Sequence, residues 1–386
     1  MTRVDLAILG GGCAGLSLVH SLIDKGYQGT VVVIEPRTDY THDRTWAFWQ
    51  LARHKWSALV QTSWTRWALS EGSRKNVQSG HDYRYQIINA HAFYNHVNAL
   101  IDTAPNVKLV KGECARSIVP RLDAVCVETD ASTYEANYVV DTRPRSPADD
   151  QSALWQVFYG GEIEVAQDTF IADTAGLMED FRVSSGGVGF IYTLPTSARS
   201  ALVQLTWFRQ DHQNPQALEE DFWQVVAEKY GRGVRMIREE AGILPMGQVP
   251  LPSSPTDPRI LGAGQAHGAL RASSGYGFWR IQYWADQMAT KLVAGRPPMV
   301  RAYDGPFLSL MDGIFLRAMR AHFHQAPSWF LRLSRALSGD EFAKFMMGKV
   351  NFWLWVKVVW ALPKAPFLSS LASRFVEPMS NGGSRQ

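Results

Sequence analysis

Residues 4–15 read VDLAILGGGCAG, an apolar run that passes directly into a G-x-G-x-x-G turn. A second apolar run, Thr30–Ile34, follows an amphipathic stretch and ends in an acid, Glu35. This is the order of the β-α-β unit that binds adenine dinucleotides: a buried strand, a glycine turn, a helix and a second strand that ends in an acid. These residues therefore predict a Rossmann-type nucleotide-binding domain.

Each position in this turn has a physical function. Gly10 permits the tight turn, Gly12 lets the backbone approach a pyrophosphate, and Gly15 lets the helix pack closely on the strand. The anion then lies at the helix N-terminus, with Gly11 inside the same turn. Glu35 can accept hydrogen bonds from the adenosine ribose. We therefore expect these five residues to bind the cofactor.

Two further observations bear on which dinucleotide binds. Glu35 disfavours the 2′-phosphate of NADP at this site, because two anions repel each other. The unit begins at residue 4, an arrangement common in FAD-dependent enzymes. We therefore expect FAD, although the glycines alone are also compatible with a nicotinamide enzyme.

The composition excludes several classes of protein. The 386 residues suffice for two domains, and a net charge of +3 without a dense basic tract gives no reason to expect nucleic-acid binding. The cysteines and histidines lack metal-ligand spacing, so we expect no metal, and the three cysteines fit a reduced, cytoplasmic compartment. The first residues run directly into a strand and no run of about 20 apolar residues follows, so we expect neither a signal peptide nor a transmembrane helix.

The remaining pattern predicts an α/β fold with a Rossmann-type FAD-binding domain, an antiparallel β-sheet substrate domain and a helical C-terminal part. We expect loops and short elements in residues 46–90, and long aromatic strands with a hairpin between residues 151 and 250. The predicted divisions are residues 1–150 for the first part of the FAD-binding domain, 151–255 for the substrate domain, 256–300 for a segment that returns to the FAD-binding domain, and 301–386 for the helical part.

Two segments are expected to bring the chain back to the cofactor. Tyr138–Asp141 is an apolar strand that ends in an acid, so we expect Asp141 beside the cofactor. Ile260–Gly264 is a strand that ends in glycines, and the glycine-rich Ser273–Gly277 follows it. Backbone amides in such turns can bind a flavin or its pyrophosphate. The expected cofactor contacts in this second region are Gly264, Ser274, Gly275 and Tyr276.

Aromatic residues are unusually frequent, and the chain contains 14 tryptophans. They are dense in Phe342–Leu362, where lysines separate the rings. An amphipathic helix lying in the interface of a bilayer has this composition, and so does a helix packed over a hydrophobic substrate tunnel. The first interpretation predicts peripheral contact with the inner face of the cell membrane, and the second predicts a tunnel wall.

Seven sequence blocks occur in the order found in one enzyme family. Asp43–Trp49 reads DRTWAFW and resembles the D-R-T-W-x-F-W block of bacterial lycopene β-cyclases. Phe190–Pro195 reads FIYTLP and matches the F-x-Y-x-L-P strand of the same family. The other five blocks that resemble this family are Phe158–Glu164, Leu177–Phe181, Ile243–Met246, Arg271–Phe278 and Leu308–Met319.

The resemblance implies an FAD-binding enzyme that closes the ψ-ends of lycopene to β-rings. The flavin would be required in its reduced form, with NAD(P)H as the reductant, but would not be consumed, and Arg44 would contact it. Ring closure adds a proton to an alkene and passes through a tertiary carbocation, so the site needs an acid in a dry pocket and aromatic faces. The candidate aromatic walls are Trp46, Phe48, Trp49, Tyr192 and Trp207.

One position departs from the family pattern. The strand after the F-x-Y-x-L-P turn carries a glutamate in the family, but here it reads LVQLT, with Gln204 at that position. An amide cannot donate a proton as an acid near neutral pH. Another carboxyl group would then supply the proton, and Gln50 is a second amide where the family often has an acid. The candidate acids in the matched blocks are Asp43, Glu179, Asp180 and Glu240.

Two other interpretations remain open. A redox flavoenzyme acting on a hydrophobic substrate, such as a monooxygenase or a polyprenyl reductase, would share the first unit and the glycine-rich return segment. The block at residues 43–49 favours the cyclase, and the G-D-A-A-H-type return motif of flavin hydroxylases does not occur in this sequence. A non-catalytic flavoprotein that binds a carotenoid is the third interpretation, and Gln204 is the residue that suggests it.

Overall fold

The computed structural model describes residues 1–144, 152–247, 257–300 and 303–376 of the chain, with the backbone alone for residues 372–376. The predicted divisions after residues 150 and 255 lie outside the described residues. Within these ranges the chain forms three β-sheets, and helices pack on two of them.

The elements are numbered in chain order. The strands are β1 (Thr2–Leu9), β2 (Val31–Glu35), β3 (Thr45–Leu51), β4 (Val60–Trp64), β5 (Arg66–Glu71), β6 (Arg74–Ser79), β7 (Tyr83–Asn89), β8 (Val107–Lys111), β9 (Ala115–Pro120), β10 (Val125–Thr129), β11 (Thr133–Asp141), β12 (Leu154–Glu164), β13 (Thr174–Ser184), β14 (Gly187–Pro195), β15 (Ser200–Arg209), β16 (Arg235–Met246) and β17 (Ile260–Gly262). The helices are α1 (Cys13–Asp24), α2 (Ala90–Asp102), α3 (Glu219–Tyr230), α4 (Phe278–Val293), α5 (Pro306–Ala321), α6 (Ala326–Ala336), α7 (Gly339–Met346), α8 (Phe352–Ala361) and α9 (Lys364–Val376).

The first sheet confirms the predicted Rossmann-type unit. Strands β8, β2, β1 and β11 lie side by side in parallel, and β17 runs parallel to the end of β11. All five residues of β2 (VVVIE) are buried, because α1, α2 and α4 pack against the sheet on one face and β9 and β10 contribute to a second apolar layer. The C-terminal ends of β1, β2 and β11 meet at one edge, which is where ligands bind in open α/β sheets.

The second sheet confirms the predicted antiparallel architecture. Its strand order is β16-β12-β15-β14-β13-β5-β6, and only the β13–β5 pair is parallel. The predicted hairpin is present as β14 and β15, with Pro195 opposite Ala201. One face packs on α3 through the buried side chains of Phe222 and Val225. The other face is directed towards the C-terminal helices.

Residues 46–90, which were predicted as loops and short elements, consist mainly of short strands. Five strands, β3 to β7, occupy this segment. Strands β5 and β6 extend the second sheet, while β3, β7 and β4 form a small antiparallel sheet of their own. The segment was predicted as part of the nucleotide-binding domain, yet β5 pairs with β13, about 100 residues further along the chain, and β6 pairs with β5.

The C-terminal helices cover the free face of the second sheet. Trp329 of α6 is fully buried against this face. The prediction of one helix over Phe342–Leu362 is wrong, because the structure divides this segment between α7 and α8. Gly348 ends the first with φ +77°, a conformation that a residue with a side chain rarely adopts. Asn351 starts the second, because its side chain accepts the N–H of Leu354 over 2.9 Å.

Candidate active site

A continuous cavity of about 720 Å³ lies between the first sheet, the second sheet and the C-terminal helices. Its wall includes Gly12 and Cys13 of the glycine turn in one direction and Leu362 and Leu368 of the α8–α9 region in the other. The lining between these regions is mostly apolar and rich in aromatic rings. The rings are those of Trp46, Trp49, Tyr94, Phe158, Phe190, Tyr192, Phe208, Tyr276, Phe278, Phe315, Phe330, Phe342, Phe345, Trp355 and Phe367.

The glycine turn has a geometry that fits a dinucleotide. Helix α1 begins at Cys13 and no side chain caps its N-terminus, so its first N–H groups are free beside the cavity. A Cβ atom at Gly12 would extend into open space, 4.0 Å from the nearest atom of Arg37. At Gly15 a Cβ atom would lie 2.0 Å from the carbonyl oxygen of Gly10, so glycine is required for the close approach of α1. A pyrophosphate can therefore approach this backbone.

The acid at the end of β2 is held by two groups. The N–H of Gly11 donates to Glu35 Oε2 over 2.7 Å, and Arg37 Nε donates to Oε1 over 2.7 Å. Burial favours the neutral carboxyl group, but the hydrogen bonds from Arg37 and Gly11 outweigh burial and lower the pKa of Glu35. Glu35 is therefore an anion at the position predicted for ribose binding. Sequence reasoning missed Arg37, although its place two residues after the acid was an available signal.

Four residues predicted on the return segment line the cavity: Gly264, Ser274, Gly275 and Tyr276. Ser274 Oγ is buried and has no hydrogen-bond partner among the described residues, and the same holds for Gln156 Oε1. A Cβ atom at Gly275 would lie 2.9 Å from that Gln156 oxygen, so the two polar groups are close together. Buried polar atoms without partners indicate a polar ligand, and a flavin ring system fits them.

Asp141 does not line the cavity. Its carboxylate accepts hydrogen bonds of 2.9 and 2.7 Å from the guanidinium of Arg143. The next residue, Thr142, lines the cavity instead, and its hydroxyl is within 2.9 Å of the carbonyl of Leu9 and 3.1 Å of that of Gly10. The exit of β11 therefore fixes the glycine turn through Thr142 rather than through the predicted acid.

A row of residues crosses the second sheet under the cavity. The strand registers place Tyr192 opposite Gln204, Gln204 opposite Gly160, and Gly160 opposite Glu240. Side chains alternate along a strand, and Tyr192, Gln204 and Glu240 all line the cavity. Gln204 is buried in the central strand β15, which pairs with β12 on one side and β14 on the other. A Cβ atom at Gly160 would lie 2.1 Å from the carbonyl oxygen of Val203, so the close approach of β12 and β15 at this row requires glycine.

Three tyrosine hydroxyl groups meet beside this row. Tyr85 Oη hydrogen-bonds to Tyr192 Oη and, over 3.0 Å, to Tyr276 Oη. Burial raises the pKa of all three phenols, so they stay protonated at neutral pH. The ring centroid of Trp49 lies 4.3 Å from that of Tyr85 and 5.1 Å from that of Tyr276. The cluster offers aromatic faces to the cavity but no strong acid.

Three of the five predicted aromatic walls, Trp46, Trp49 and Tyr192, line the cavity. Phe48 does not, because it lies behind the wall, buried and stacked on Phe278 with a centroid distance of 4.9 Å. Trp207 does not either, because it packs on the face of the second sheet that α3 covers. These two rings therefore have packing roles.

The first resemblance block places three polar residues at the cavity, Asp43, Arg44 and Thr45. Asp43 Oδ2 lies 3.3 Å from Arg37 Nη1, whereas its Oδ1 is buried without a partner among the described residues. Arg44 is exposed, and its Nη1 donates to the carbonyl of Ala241 over 3.3 Å. Gln50 does not line the cavity, and its side chain accepts the next backbone N–H of the chain.

The candidate acids Glu179 and Asp180 do not line the cavity. Lys229 Nζ on α3 forms ion pairs with both, at 3.1 and 2.5 Å. Burial favours the neutral amine, but the two carboxylates outweigh it and raise the pKa of Lys229. Strand β13 shifts register on both sides of Glu179, and Asp180 has φ +52°. This irregularity directs both acids to the α3 side. The geometry therefore does not favour the catalytic roles predicted for them.

A buried ion pair that the sequence did not predict closes the cavity from the helical side. Arg271 donates to Asp312 through Nε over 3.1 Å and through Nη2 over 3.0 Å, and both residues line the cavity. The third nitrogen of the guanidinium donates to the carbonyl of Phe345. Within the described residues the acids of the cavity wall are thus Asp43, Glu240 and Asp312.

Helix α8 presents large apolar side chains to solvent. Phe352, Trp353 and Trp360 are 71, 72 and 78 % exposed. Val359 of the same helix and Lys364 belong to the cavity wall, so the exposed surface adjoins the cavity. Among the helices of the described ranges, none combines the length and the apolar character that crossing a membrane requires.

One group of potential metal ligands lies outside the cavity wall. His81, Asp82 and Asp340 place ligand atoms within 4.8 Å of one another. The Asp340 carboxylate accepts the backbone N–H groups of residues 81–83, so the contact between α7 and this loop accounts for the arrangement.

Comparison with solved structures defines the class of protein. The chain is similar to a geranylgeranyl bacteriochlorophyll reductase-like protein from Thermoplasma acidophilum, with a TM-score of 0.62, 13% identity, and coverage of 97% of this chain and 99% of that one. It is also similar to a flavoprotein/dehydrogenase from Cytophaga hutchinsonii, with a TM-score of 0.62, 12% identity, and coverage of 96% and 100%. The protein therefore has the fold of the Rossmann-type flavoproteins.

The family follows from the sequence match. The family described as lycopene cyclase protein matches residues 5–335, and the chain belongs to this family. The chain is also 25% identical over 303 residues to the chloroplastic lycopene beta cyclase of an Oncidium hybrid cultivar, which covers 71% of this chain. The match spans 60% of the length of that relative. The family that the seven sequence blocks indicated is thus confirmed.

Proposed function

We propose that the protein is a carotenoid cyclase that closes the ψ-ends of lycopene to β-rings, forming β-carotene, in an acid-catalysed reaction with bound FAD. The observation that carries this proposal is the continuous cavity, because its wall runs from Gly12 in the glycine turn to the rings of Trp49, Tyr192 and Phe330. A long apolar polyene needs such a compartment, and here a cofactor and a polyene end would share it. Membership of the lycopene cyclase family supports the same class of substrate.

FAD is the proposed dinucleotide, in its reduced form and with NAD(P)H as the reductant. The residues that would hold it are those of the glycine turn with Glu35, and those around the unpartnered polar atoms of Ser274 and Gln156. When bound, reduced FAD supplies negative charge that stabilises a developing carbocation, and it is not consumed.

The chain's own residues supply the rest of the chemistry. Trp49 and Tyr192 present aromatic faces that stabilise a cation, and the apolar wall excludes water that would otherwise capture it. A carboxyl group adds a proton to the terminal double bond of the ψ-end, and the neighbouring double bond attacks the resulting tertiary cation. Loss of a ring proton then restores neutrality. Substrate and product therefore have the same atoms and the same oxidation state.

An anaerobic incubation tests this function directly. The purified protein with liposomal lycopene, FAD and NAD(P)H is expected to form mono- or bicyclic carotene, followed by chromatography. NAD(P)H should be oxidised only in the amount that reduces the flavin, and omission of NAD(P)H should prevent product formation. A hydrogenated product formed with stoichiometric NAD(P)H oxidation would contradict the proposal, and so would lycopene that stays bound and unchanged.

A redox flavoenzyme acting on a polyprenoid is the second candidate, and Gln204 is the observation that favours it. The residue faces the cavity with an amide where the family carries an acid. Reduction of a double bond by hydride transfer does not depend on a carboxyl group at that position, whereas ring closure then needs a carboxyl group elsewhere in the cavity wall. The stoichiometry of NAD(P)H oxidation in the incubation above distinguishes the two functions.

We also infer that the exposed surface of α8, formed by Phe352, Trp353 and Trp360, contacts the membrane in which a carotenoid dissolves. Aromatic rings are favoured at the interface between lipid tails and headgroups. Lys364, next to this surface, is part of the cavity wall, so an apolar substrate could pass from the lipid into the cavity without crossing water.

Replacement of both Trp353 and Trp360 by serine is expected to weaken binding to phospholipid vesicles by at least about tenfold. The reason is that each large apolar side chain removed from water contributes about 1.5–3 kcal/mol. Co-sedimentation with phosphatidylcholine vesicles containing phosphatidylglycerol measures the effect. Leu122→Ser is the matched control, because Leu122 is 94 % exposed and lies outside the cavity wall. Equal binding by the double variant and the control would rule out this contact.

A further inference from the structure

We propose that Glu240 is the carboxyl group that exchanges protons with the substrate, and that Thr45 and His42 connect it to solvent. The inference rests on the proposed cyclase function. It identifies the residue that donates the proton, which the amide of Gln204 cannot do. It is carried by the position of Glu240 in the row across the second sheet.

The position of Glu240 places its carboxylate in the cavity, across from the Gln204 amide. Gly160 lies between them in the register and carries no side chain. Glu240 is only 4 % exposed, yet it belongs to the cavity wall, so its accessible surface is directed to the ligand space. Gln204 and Glu240 both line the cavity, so a substrate end bound in this part of it would lie beside both groups. Glu240 therefore lies two strands away from Gln204, the position at which the family carries its acid, and on the same face of the sheet.

Hydrogen bonding distinguishes Glu240 from Asp312, and position in the cavity distinguishes it from Asp43. Asp312 has each carboxylate oxygen occupied by an N–H of Arg271. Asp43 faces Arg37 beside the glycine turn, which is the region proposed for the cofactor. Glu240 Oε1, in contrast, accepts a single bond of 3.1 Å from the backbone N–H of Thr45. That oxygen keeps acceptor capacity for a proton.

The positive charge next to Glu240 is shared with a second carboxylate. Arg238 Nη2 lies 2.8 Å from Glu240 Oε2 but also 3.4 Å from Glu162 Oε1. One guanidinium is therefore shared by two carboxylates, so it does not fully compensate the negative charge of the pair. The guanidinium of Arg271, in contrast, contacts both oxygens of Asp312 and is not shared with a second carboxylate among the cavity-lining residues that the structure describes.

A short polar path connects Glu240 to the surface. The hydroxyl of Thr45 donates to Glu240 Oε2 over 2.9 Å, and the same hydroxyl oxygen lies 3.5 Å from His42 Nε2. The side chain of His42 is 19 % exposed, so a proton from solvent can reach the imidazole. Imidazole, hydroxyl and carboxyl groups are the residue types that relay protons.

Glu240 can both donate the proton that starts ring closure and accept the proton released at its end. Protonated Glu240 transfers its proton to the terminal alkene carbon of the ψ-end and becomes a carboxylate. The internal double bond forms the ring bond, and the carboxylate then takes the proton lost from the ring carbon. The carboxyl group is regenerated without any net gain or loss of protons, and the path through Thr45 and His42 lets it exchange with solvent between turnovers.

Steady-state kinetics with liposomal lycopene test the inference. Glu240→Gln is expected to lower kcat by at least about 100-fold, the lower limit for loss of a general acid, with an unchanged apparent KM. Glu239→Gln is the matched control, because Glu239 is the adjacent, exposed residue outside the cavity wall, and its kcat should stay within about threefold of wild type. The double variant Gln204→Glu/Glu240→Gln should regain at least about tenfold over Glu240→Gln, because it returns a carboxyl group to the same row.

The outcomes separate this inference from the proposed function. Cyclic product from the wild type together with an unchanged kcat for Glu240→Gln overturns the role of Glu240 and leaves the cyclase function in place. No cyclic product from the wild type overturns both. If Glu240→Gln does not fold, Glu240→Asp keeps the charge next to Arg238 but withdraws the carboxyl group by one methylene. That variant should also lose at least about tenfold in kcat, and full activity would overturn the inference.

Discussion

Gly15→Ala is expected to weaken the affinity of the protein for FAD by about 10- to 100-fold, and the variant should be purified largely without bound flavin. A methyl group at this position would lie 2.0 Å from the carbonyl oxygen of Gly10 and 3.2 Å from Cγ2 of Ile8. Relief of such overpacking typically costs about 1–3 kcal/mol, and here the atoms that must move belong to the turn proposed to hold the pyrophosphate. Ten- to 100-fold in affinity corresponds to about 1.4–2.7 kcal/mol.

The turn has little freedom to absorb this shift. The N–H of Gly10 donates to the carbonyl of Ile34 over 2.8 Å, and the hydroxyl of Thr142 lies 3.1 Å from the Gly10 carbonyl oxygen. Both neighbouring strands therefore hold the carbonyl that the methyl group would displace. Helix α1 must move away instead, and its free N–H groups then no longer face the same point in the cavity.

Titration of the apoprotein with FAD, followed by flavin fluorescence, measures the affinity. Gly186→Ala is the matched control, because a Cβ atom at Gly186 has no atom within 4 Å. The control should bind FAD as tightly as the wild type. Unchanged affinity in Gly15→Ala would mean that the dinucleotide binds elsewhere or that the turn tolerates a wider helix–strand distance.

The nucleotide-binding unit could be predicted from the sequence because its signals are local. The glycine turn, the helix and the acid Glu35 all lie within about 30 residues, and each has a fixed geometric role. Strands β5 and β6 could not be placed in the same way. β5 pairs with β13, about 100 residues further along the chain, and no local pattern in the sequence indicates that partner.

The orientation of the acids shows a similar limit. Strand β15 keeps a regular register, so alternation with the neighbouring residues directs Gln204 to the cavity. Strand β13 does not, because register shifts surround Glu179 and Asp180 adopts a positive φ. An irregular strand breaks the two-residue period on which such predictions rest. The sequence therefore identified the candidate acids but not which of them face the ligand.

Arg271→Met is expected to lower the free energy of unfolding by about 3 kcal/mol. Arg271 is 1 % exposed and donates to both oxygens of Asp312 as well as to the carbonyl of Phe345. Methionine removes the charge and leaves Asp312 buried without its partner, and breaking a buried ion pair on one side costs about 3–5 kcal/mol. Denaturation by urea, with the same probe for both proteins, measures the difference.

A second guanidinium places the expected loss at the lower end of that range. Arg280 of α4 is paired with Asp304, and burial, followed by the charge of Arg271, lowers its pKa to about 10. The charge of Asp312 also acts on Arg280, so part of the field on Asp312 persists when Arg271 is replaced. Arg271→Lys should lose an intermediate amount, because an ammonium group keeps the charge but cannot donate to both carboxylate oxygens in the same plane.

Removal of both charges distinguishes the contribution of the ion pair to stability from the contribution of side-chain packing. The double variant Arg271→Met/Asp312→Leu should recover most of the loss, because two apolar side chains leave no unpaired charge in the interior. Recovery of stability need not restore activity, since the Arg271 carbonyl accepts the N–H groups of Ser274 and Gly275 and so shapes the turn beside the cavity. A stable double variant with weakened FAD binding would show that the ion pair positions this turn. A stability loss equal to that of Arg271→Met would instead show that the effect comes from packing of the arginine stem and not from its charge.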